Sequence, residues 1–292
     1  MTSNTAPLVA APAVAPPPGC GTDTLASNAS GASVVLASDA YNGSAYVIEI
    51  CATTDGVHWT GPTAVGDGQE PVAAVAPNGR AVLVWLDETS TGASSIQASI
   101  LPPGGSWSSP ATLSSAYGRP HIVMDGSGNA MAMWAPTGTS LEGPVQTDSL
   151  AASSTTWAAP ITLVANGGLA TLVGNAAGDV LVTWRGQTTN LIEAAGGTIL
   201  GGFRATENLA QTNGYVERPS IPAINSAGDG IVVWISTFDG TGYTTMTPSG
   251  TWSAANEVAT TEVAIGVAIN SAGNFVVTWT ASDGGMESVT VP

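Results

Sequence analysis

Apolar and polar positions follow one another along this chain with a long, regular period. A short, largely apolar run recurs as VVLA, AVLVW, AMAMW, VLVTW, IVVW and FVVTW, each after a turn rich in Asn, Asp, Gly and Ser. Three of these phrases are nearly the same words: NAAGDVLVTW from Asn175, NSAGDGIVVW from Asn225 and NSAGNFVVTW from Asn270. The repeat is anchored on the turn glycines Gly31, Gly79, Gly128, Gly178, Gly228 and Gly273, at intervals of 48, 49, 50, 50 and 45 residues, a period of propeller blades rather than of helical repeats.

Each unit predicts four short strands. The first precedes the turn, as in PVAAVA from Pro71, and the second is the apolar run. A looser third follows, and the fourth starts at a second aromatic: Trp59, Trp107, Trp157 or Trp252, with Phe203 in the fourth unit. In the turn, Asn28, Asp125, Asn175, Asn225 and Asn270 stand three residues before the glycine, where a short amide or carboxylate bonds to backbone N–H groups two residues on. Pro77-Asn78-Gly79 solves the same problem in the second unit. These positions therefore read as structural turns.

The second strand lacks the alternation expected of a strand with one wet face, which predicts cover on both sides. Trp85, Trp134, Trp184, Trp234 and Trp279, each six residues after the glycine, are expected to fill the gaps between neighbouring units; the first unit has Ala37 there. The pattern predicts an all-β fold, a six-bladed β-propeller of four-stranded antiparallel blades over residues 22–292. After Trp279 there is sequence for one more strand only, while residues 1–21 contain APLVAAPAV at Ala6 to Val14. This tail is expected to supply the missing edge strand of the last blade, where proline is tolerated, and so to close the ring.

Composition narrows the partners. The 292 residues include no lysine, five arginines and twenty-one acids, for a formal charge of −16, yet only 9% are charged. Such a chain lacks the cations that neutralise phosphates, which argues against nucleic acid or an anionic membrane as partner. No apolar run reaches the roughly 20 residues needed to span a bilayer, so membrane insertion is not expected. The N-terminus has neither the basic start nor the unbroken apolar stretch of a secretory signal. The expectation is therefore an extracellular protein exported by another route, or a phage or particle component. Cys20 and Cys51 either pair, which implies an oxidising environment, or remain two separate thiols.

One fragment, TTDGVHW at Thr53 to Trp59, resembles the Asp box of bacterial BNR-repeat propellers, a class shared by sialidases and carbohydrate-binding proteins. Aligned on Trp59, the signature Ser and Asp are replaced by Ala52 and Thr54, with Asp55 nearby. What the resemblance implies is a blade pattern; the box itself is a turn and carries no chemistry.

Candidate chemistry is sparse. Arg119 and Arg218 each precede a proline that opens a first strand, and Glu70 holds that place in the second unit, so these groups with Glu217 form the ligand-binding candidates at one mouth of the funnel. Two carboxylates facing each other across a sugar would serve hydrolysis, with Glu70 and Glu217 as the pair and Asp87, Glu88 and Asp239 as further acids on that face. His58 and His121 belong to no metal-ligand spacing, so no metal residues are assigned, though loop oxygens would suit Ca2+. No catalytic residues and no other cofactor are assigned. The leading expectation is a non-enzymatic binding or structural propeller recognising glycan or protein, with particle or homo-oligomer contacts; the alternative is a glycan-processing hydrolase or lyase.

Overall fold

A computed structural model describes residues 15–88, 93–136, 143–186, 190–214, 216, 218–236, 239–259, 263–280 and 285–291. Among them every regular element is a β-strand. The described strands form antiparallel sheets in chain order. Unit one pairs Thr24–Ser27, Val34–Tyr41, Tyr46–Thr53 and Trp59–Asp67; unit two pairs Gln69–Val75, Ala81–Glu88, Ser94–Leu101 and Ala111–Ser114. Unit five pairs Ile221–Ile224, Gly230–Ser236, Gly240–Met246 and Asn256–Ala259, and unit six has Val263–Ile269, Phe275–Thr280 and Met286–Val291. The segment expected to complete unit six, Ala6 to Val14, lies outside the described residues.

Units three and four depart from the expected separate sheets. A single strand, Ile161–Gly174, pairs with Gly143–Leu150 through its first half and with Asp179–Gly186 through its second, joining both units into one sheet. Ala165-Asn166-Gly167-Gly168 offers no proline to interrupt pairing, and a register shift beyond Gly168, with Leu169 at φ 53°, re-aims the chain instead.

The second strands show why they are apolar throughout. Side chains of a strand point alternately to its two faces. Leu83 and Trp85 pack back onto Ala37, Ile48 and Ile50 of unit one, whereas Val82, Val84 and Leu86 pack forward with Ala130, Ala132 and Trp134 of unit three. Met131 and Met133 then meet Val180, Val182 and Trp184; Leu181 meets Val232 and Trp234; Ile231 and Val233 meet Phe275, Val277 and Trp279. Every one of these tryptophans faces the preceding unit and is 8% exposed or less.

An indole so buried must place its N–H. The residue directly across on the third strand accepts it in three units: Gln146 Oε1 at 3.0 Å from Trp134, Glu193 Oε2 at 2.9 Å from Trp184 and Glu287 Oε2 at 3.2 Å from Trp279. Trp85 uses the carbonyl of Asp67, at 2.8 Å. Gly242 stands opposite Trp234, where a Cβ would come within 2.7 Å of the indole ring.

The turns do more than close hairpins. Asn175 Oδ1 accepts from the N–H groups of Ala177 and Asp179, while its Nδ2 donates at 2.8 Å to the carbonyl of Asn225 in the next unit. Asn225 repeats this toward Asn270 at 2.9 Å, and Asn28 donates to Pro77 O at 3.4 Å. A second pairing lies within the turn: Asn175 with Asp179 at 2.8 Å and Asn225 with Asp229 at 2.9 Å. Unit three reverses the chemistry, with Asn129 donating to Asp125 at 2.6 Å. The turns of units three, four and five thus each hold one amide and one carboxylate. Asn175→Asp should destabilise by about 1–3 kcal/mol, because two carboxylates then meet and the inter-unit donor is lost. Adding Asp179→Asn should recover the like-charge part. Urea unfolding of the four proteins tests this; strictly additive effects would show that the pair is not coupled.

Candidate functional site

At one end of the unit-one sheet a hairpin joins the second strand to the third. In unit one this hairpin is Tyr41-Asn-Gly-Ser-Ala-Tyr46, and Asn42 Oδ1 fixes it by accepting from the N–H groups of Ser44 and Ala45, each at 3.0 Å. Tyr41 and Tyr46 are register partners, so their rings stand side by side with centroids 5.3 Å apart. They are 62% and 42% exposed, large aromatic surfaces that the fold leaves uncovered.

The end of unit one's fourth strand and the second strand of unit two supply the facing wall. Asp67 is held by the Trp85 indole on its carbonyl, and Gly68 donates to Tyr46 O at 3.0 Å. Gly68 has φ 145° and lies against Trp85, where a Cβ would come within 2.3 Å of the ring, so only glycine fits. Asp87 and Glu88 close the wall at the end of strand Ala81–Glu88. Tyr41, Tyr46, Asp67, Asp87 and Glu88 together bound a cleft of about 590 Å³, within the range of roughly 300–1,000 Å³ that ligand sites occupy. Burial and then the neighbouring Asp67 carboxylate raise the Asp87 pKa, with Ser95 partly offsetting both.

Of the acids and arginines singled out in the sequence, Glu70 and Arg119 meet, Arg119 Nε lying 3.6 Å from Glu70 Oε2. With side chains 43% and 61% exposed, this pair contributes at most about 1 kcal/mol. Glu70 itself is in the left-handed region, φ 52°, with its N–H bonded to Asp39 Oδ2 at 3.1 Å. Arg218 is exposed on unit five, and Glu217 lies outside the described residues. Asp239 serves as an anchor: it accepts from the Asn213 N–H and side-chain amide at 2.7 and 3.0 Å, and these bonds lower its pKa. Asp87 and Glu88 are therefore the sequence-marked acids that the fold carries into a cleft.

Other named residues have structural places. Cys20 and Cys51 are bonded, with Cα atoms 5.8 Å apart. Asp55 caps its turn, accepting from the Val57 and His58 N–H groups at 2.9 and 2.7 Å and lying 2.6 Å from the His58 ring, and the His58 contact, before these backbone bonds, holds its carboxyl far below the usual range. Burial, and then Arg119, lower the His121 pKa to about 4. Among the described residues no three His, Cys, Asp or Glu side chains converge as metal ligands. Tyr41, Tyr46 and Asp67 were missed in the sequence; two of five tyrosines bracketing an Asn-Gly turn were the available signal.

These features define an all-β repeat protein of propeller-like architecture. No sequence family matches the chain. No curated protein matches it either. Similar solved structures are an ulvan lyase, at TM-score 0.53 and 10% identity over 89% of this chain and 78% of that one, and a prolyl endopeptidase, at 0.53 and 12% over 92% of this chain but 42% of that one. A lectin of Aleuria aurantia with a six-bladed β-propeller fold has TM-score 0.47 and 12% identity, over 91% of this chain and 90% of the lectin. At these identities the likeness is one of fold.

Proposed function

We propose that the six units close into a propeller ring, and that the protein is a non-enzymatic glycan-binding module at a cell or particle surface. The observation that carries the binding reading is the cleft of Tyr41 and Tyr46 against Asp67 and Asp87. Exposed aromatic rings take the apolar C–H face of a sugar, and carboxylates accept strong hydrogen bonds from its hydroxyls. A disulfide-bonded chain fits an oxidising exterior. Closure of the ring would mate the last second strand, where Val276 and Thr278 are only half-buried, with the first. A solution scattering profile tests it: an open arc instead of a disc with a central channel would refute the ring.

Binding is tested on a glycan array followed by titration of the hits. Tyr41→Ala and Asp87→Asn should each reduce affinity by about tenfold or more, some 1.4 kcal/mol. Affinity should also fall as pH drops through the raised pKa of Asp87, since the protonated acid accepts less strongly. The sign for stability is opposite. Folding disfavours ionised Asp87, so its unfavourable contribution is present at neutral pH and disappears in acid. Asp87→Asn should therefore leave the neutral-pH melting temperature unchanged or higher while binding is lost; a destabilised variant that still binds would remove Asp87 from the site.

One observation favours a second reading. Two carboxylates lining one cleft, Asp67 and Asp87, are the kind of pair that supplies an acid and a base for glycoside cleavage. Product release from the array hits, abolished by Asp87→Asn, would move the protein from binder to enzyme.

A further inference from the structure

We infer that the groove between units one and two, at the end of the sheets opposite the tyrosine cleft, is a second binding site, for a neutral saccharide. The third strand of unit one, Tyr46–Thr53, spans roughly 25 Å from the cleft to the far end of the groove. The two linings share no residue and approach each other at Val65 and Asp67 on the fourth strand.

Two equivalent grooves are filled by arginine. Between units four and five, Arg204 lies against Gly250 and donates to Pro248 O at 3.1 Å, leaving about 110 Å³. Between units two and three, Arg80 donates to the carbonyls of Ala152 and Ser154, leaving about 250 Å³. Between units one and two no arginine lines the groove, and about 700 Å³ stays open. Only this last volume falls in the range of ligand sites, roughly 300–1,000 Å³.

The repeat shows which substitutions leave it open. The Arg204 N–H bonds to Gly196 O, as Ser108 does to Ile100 O and Ser253 to Thr245 O; in unit one Thr60 holds this place, paired with Ala52. Arg80, whose carbonyl accepts from the Ala76 N–H and whose side chain lies on Gly128, corresponds to Ser33, which stands in the same relation to Asn28 and Gly79 in unit one. Both filling positions are thus occupied by small side chains.

The lining selects the ligand class. It contains no Asp, Glu or Arg, and its one ionisable group, His58, is tied to Asp55 at 2.6 Å. Neither anion nor cation is favoured. Thr54, Thr63 and Ser106 bring hydroxyls, which both donate and accept, as sugar hydroxyls do, whereas the Thr60 hydroxyl is spent on the carbonyl of Ala52. Trp107, half-buried with Val35 and Ala52 beneath it, turns its remaining surface to the groove as an apolar platform.

The test is an NMR titration of the intact protein with methyl glycosides of glucose, galactose, mannose, fucose and N-acetylglucosamine, reading the Trp107 indole N–H. At least one glycoside should shift it saturably. Thr60→Arg, which restores the arginine of unit four, and Ser106→Arg should each weaken binding by about tenfold or more, while Thr60→Ala and Tyr41→Ala leave it unchanged. A resonance unmoved by all five sugars, or a Thr60→Arg protein that binds as well as the parent, overturns the site. A signal abolished by Tyr41→Ala instead belongs to the cleft and overturns it equally. Failure of the cleft proposal leaves the Trp107 signal untouched, so the two readings fall separately.

Discussion

Trp134→Ala should lower the unfolding free energy by about 3–5 kcal/mol, measured by urea denaturation followed by circular dichroism. Trp134 is fully buried and packs among Val82, Val84, Leu86 and Ile96 of the preceding unit. Truncation removes more apolar volume than any neighbour can refill, because the contact joins two sheets that are each held stiff by their own hydrogen bonds. It also leaves Gln146 Oε1 without its indole donor. Against a typical total stability of roughly 5–15 kcal/mol, that loss is large. Tyr117→Ala, at a ring 44% exposed, is the control and should change stability by about 0.5 kcal/mol or less. Equal effects at the two sites would mean that packing between units is not what stabilises the fold.

The second large effect is expected at the disulfide. Cys20→Ser with Cys51→Ser opens a loop of 31 residues that contains the first two strands of unit one. On the loop-closure estimate the denatured chain gains entropy worth about 3–4 kcal/mol. Unit one should show it first, since the bond ties the segment before Thr24 to the third strand. Hydrogen exchange at Val34–Tyr41 should accelerate before that of Ala130–Ala135. Protection that falls equally in both strands would show the molecule opening only as a whole. A loss below about 1 kcal/mol would mean that unit one is held by its packing on unit two, with Leu83 and Trp85 against Ala37 and Ile48.

Both effects bear on function through the same place. The tyrosine cleft and the neutral groove lie at opposite ends of the boundary between units one and two, and Trp85 sits inside that boundary with its N–H on Asp67. Loosening unit one should therefore weaken both sites together, whereas Thr60→Arg and Tyr41→Ala act on one each.

The amino-acid sequence by itself determined the repeat, the strand content and the two-sided cover of the second strand. These are local or periodic properties: a turn glycine, an apolar run without alternation and a tryptophan at constant offset restate themselves in every unit. The roles of Asn175 and Asn225 were legible only in part. Their bonds to N–H groups within the turn follow from short-range geometry, while the bond of each amide to the next unit's carbonyl depends on how one unit is set against another. Arg80 and Arg204 were illegible for that reason, since a guanidinium that fills an inter-unit groove looks in sequence like any loop cation. The joining of units three and four through Ile161–Gly174 turned on a bulge at Leu169, which no residue type announces. The candidate sites belong wholly to the tertiary structure. Tyr41, Asp67 and Asp87 are far apart along the chain and carry no shared motif, and only the packing of one sheet on its neighbour brings their side chains to a common space.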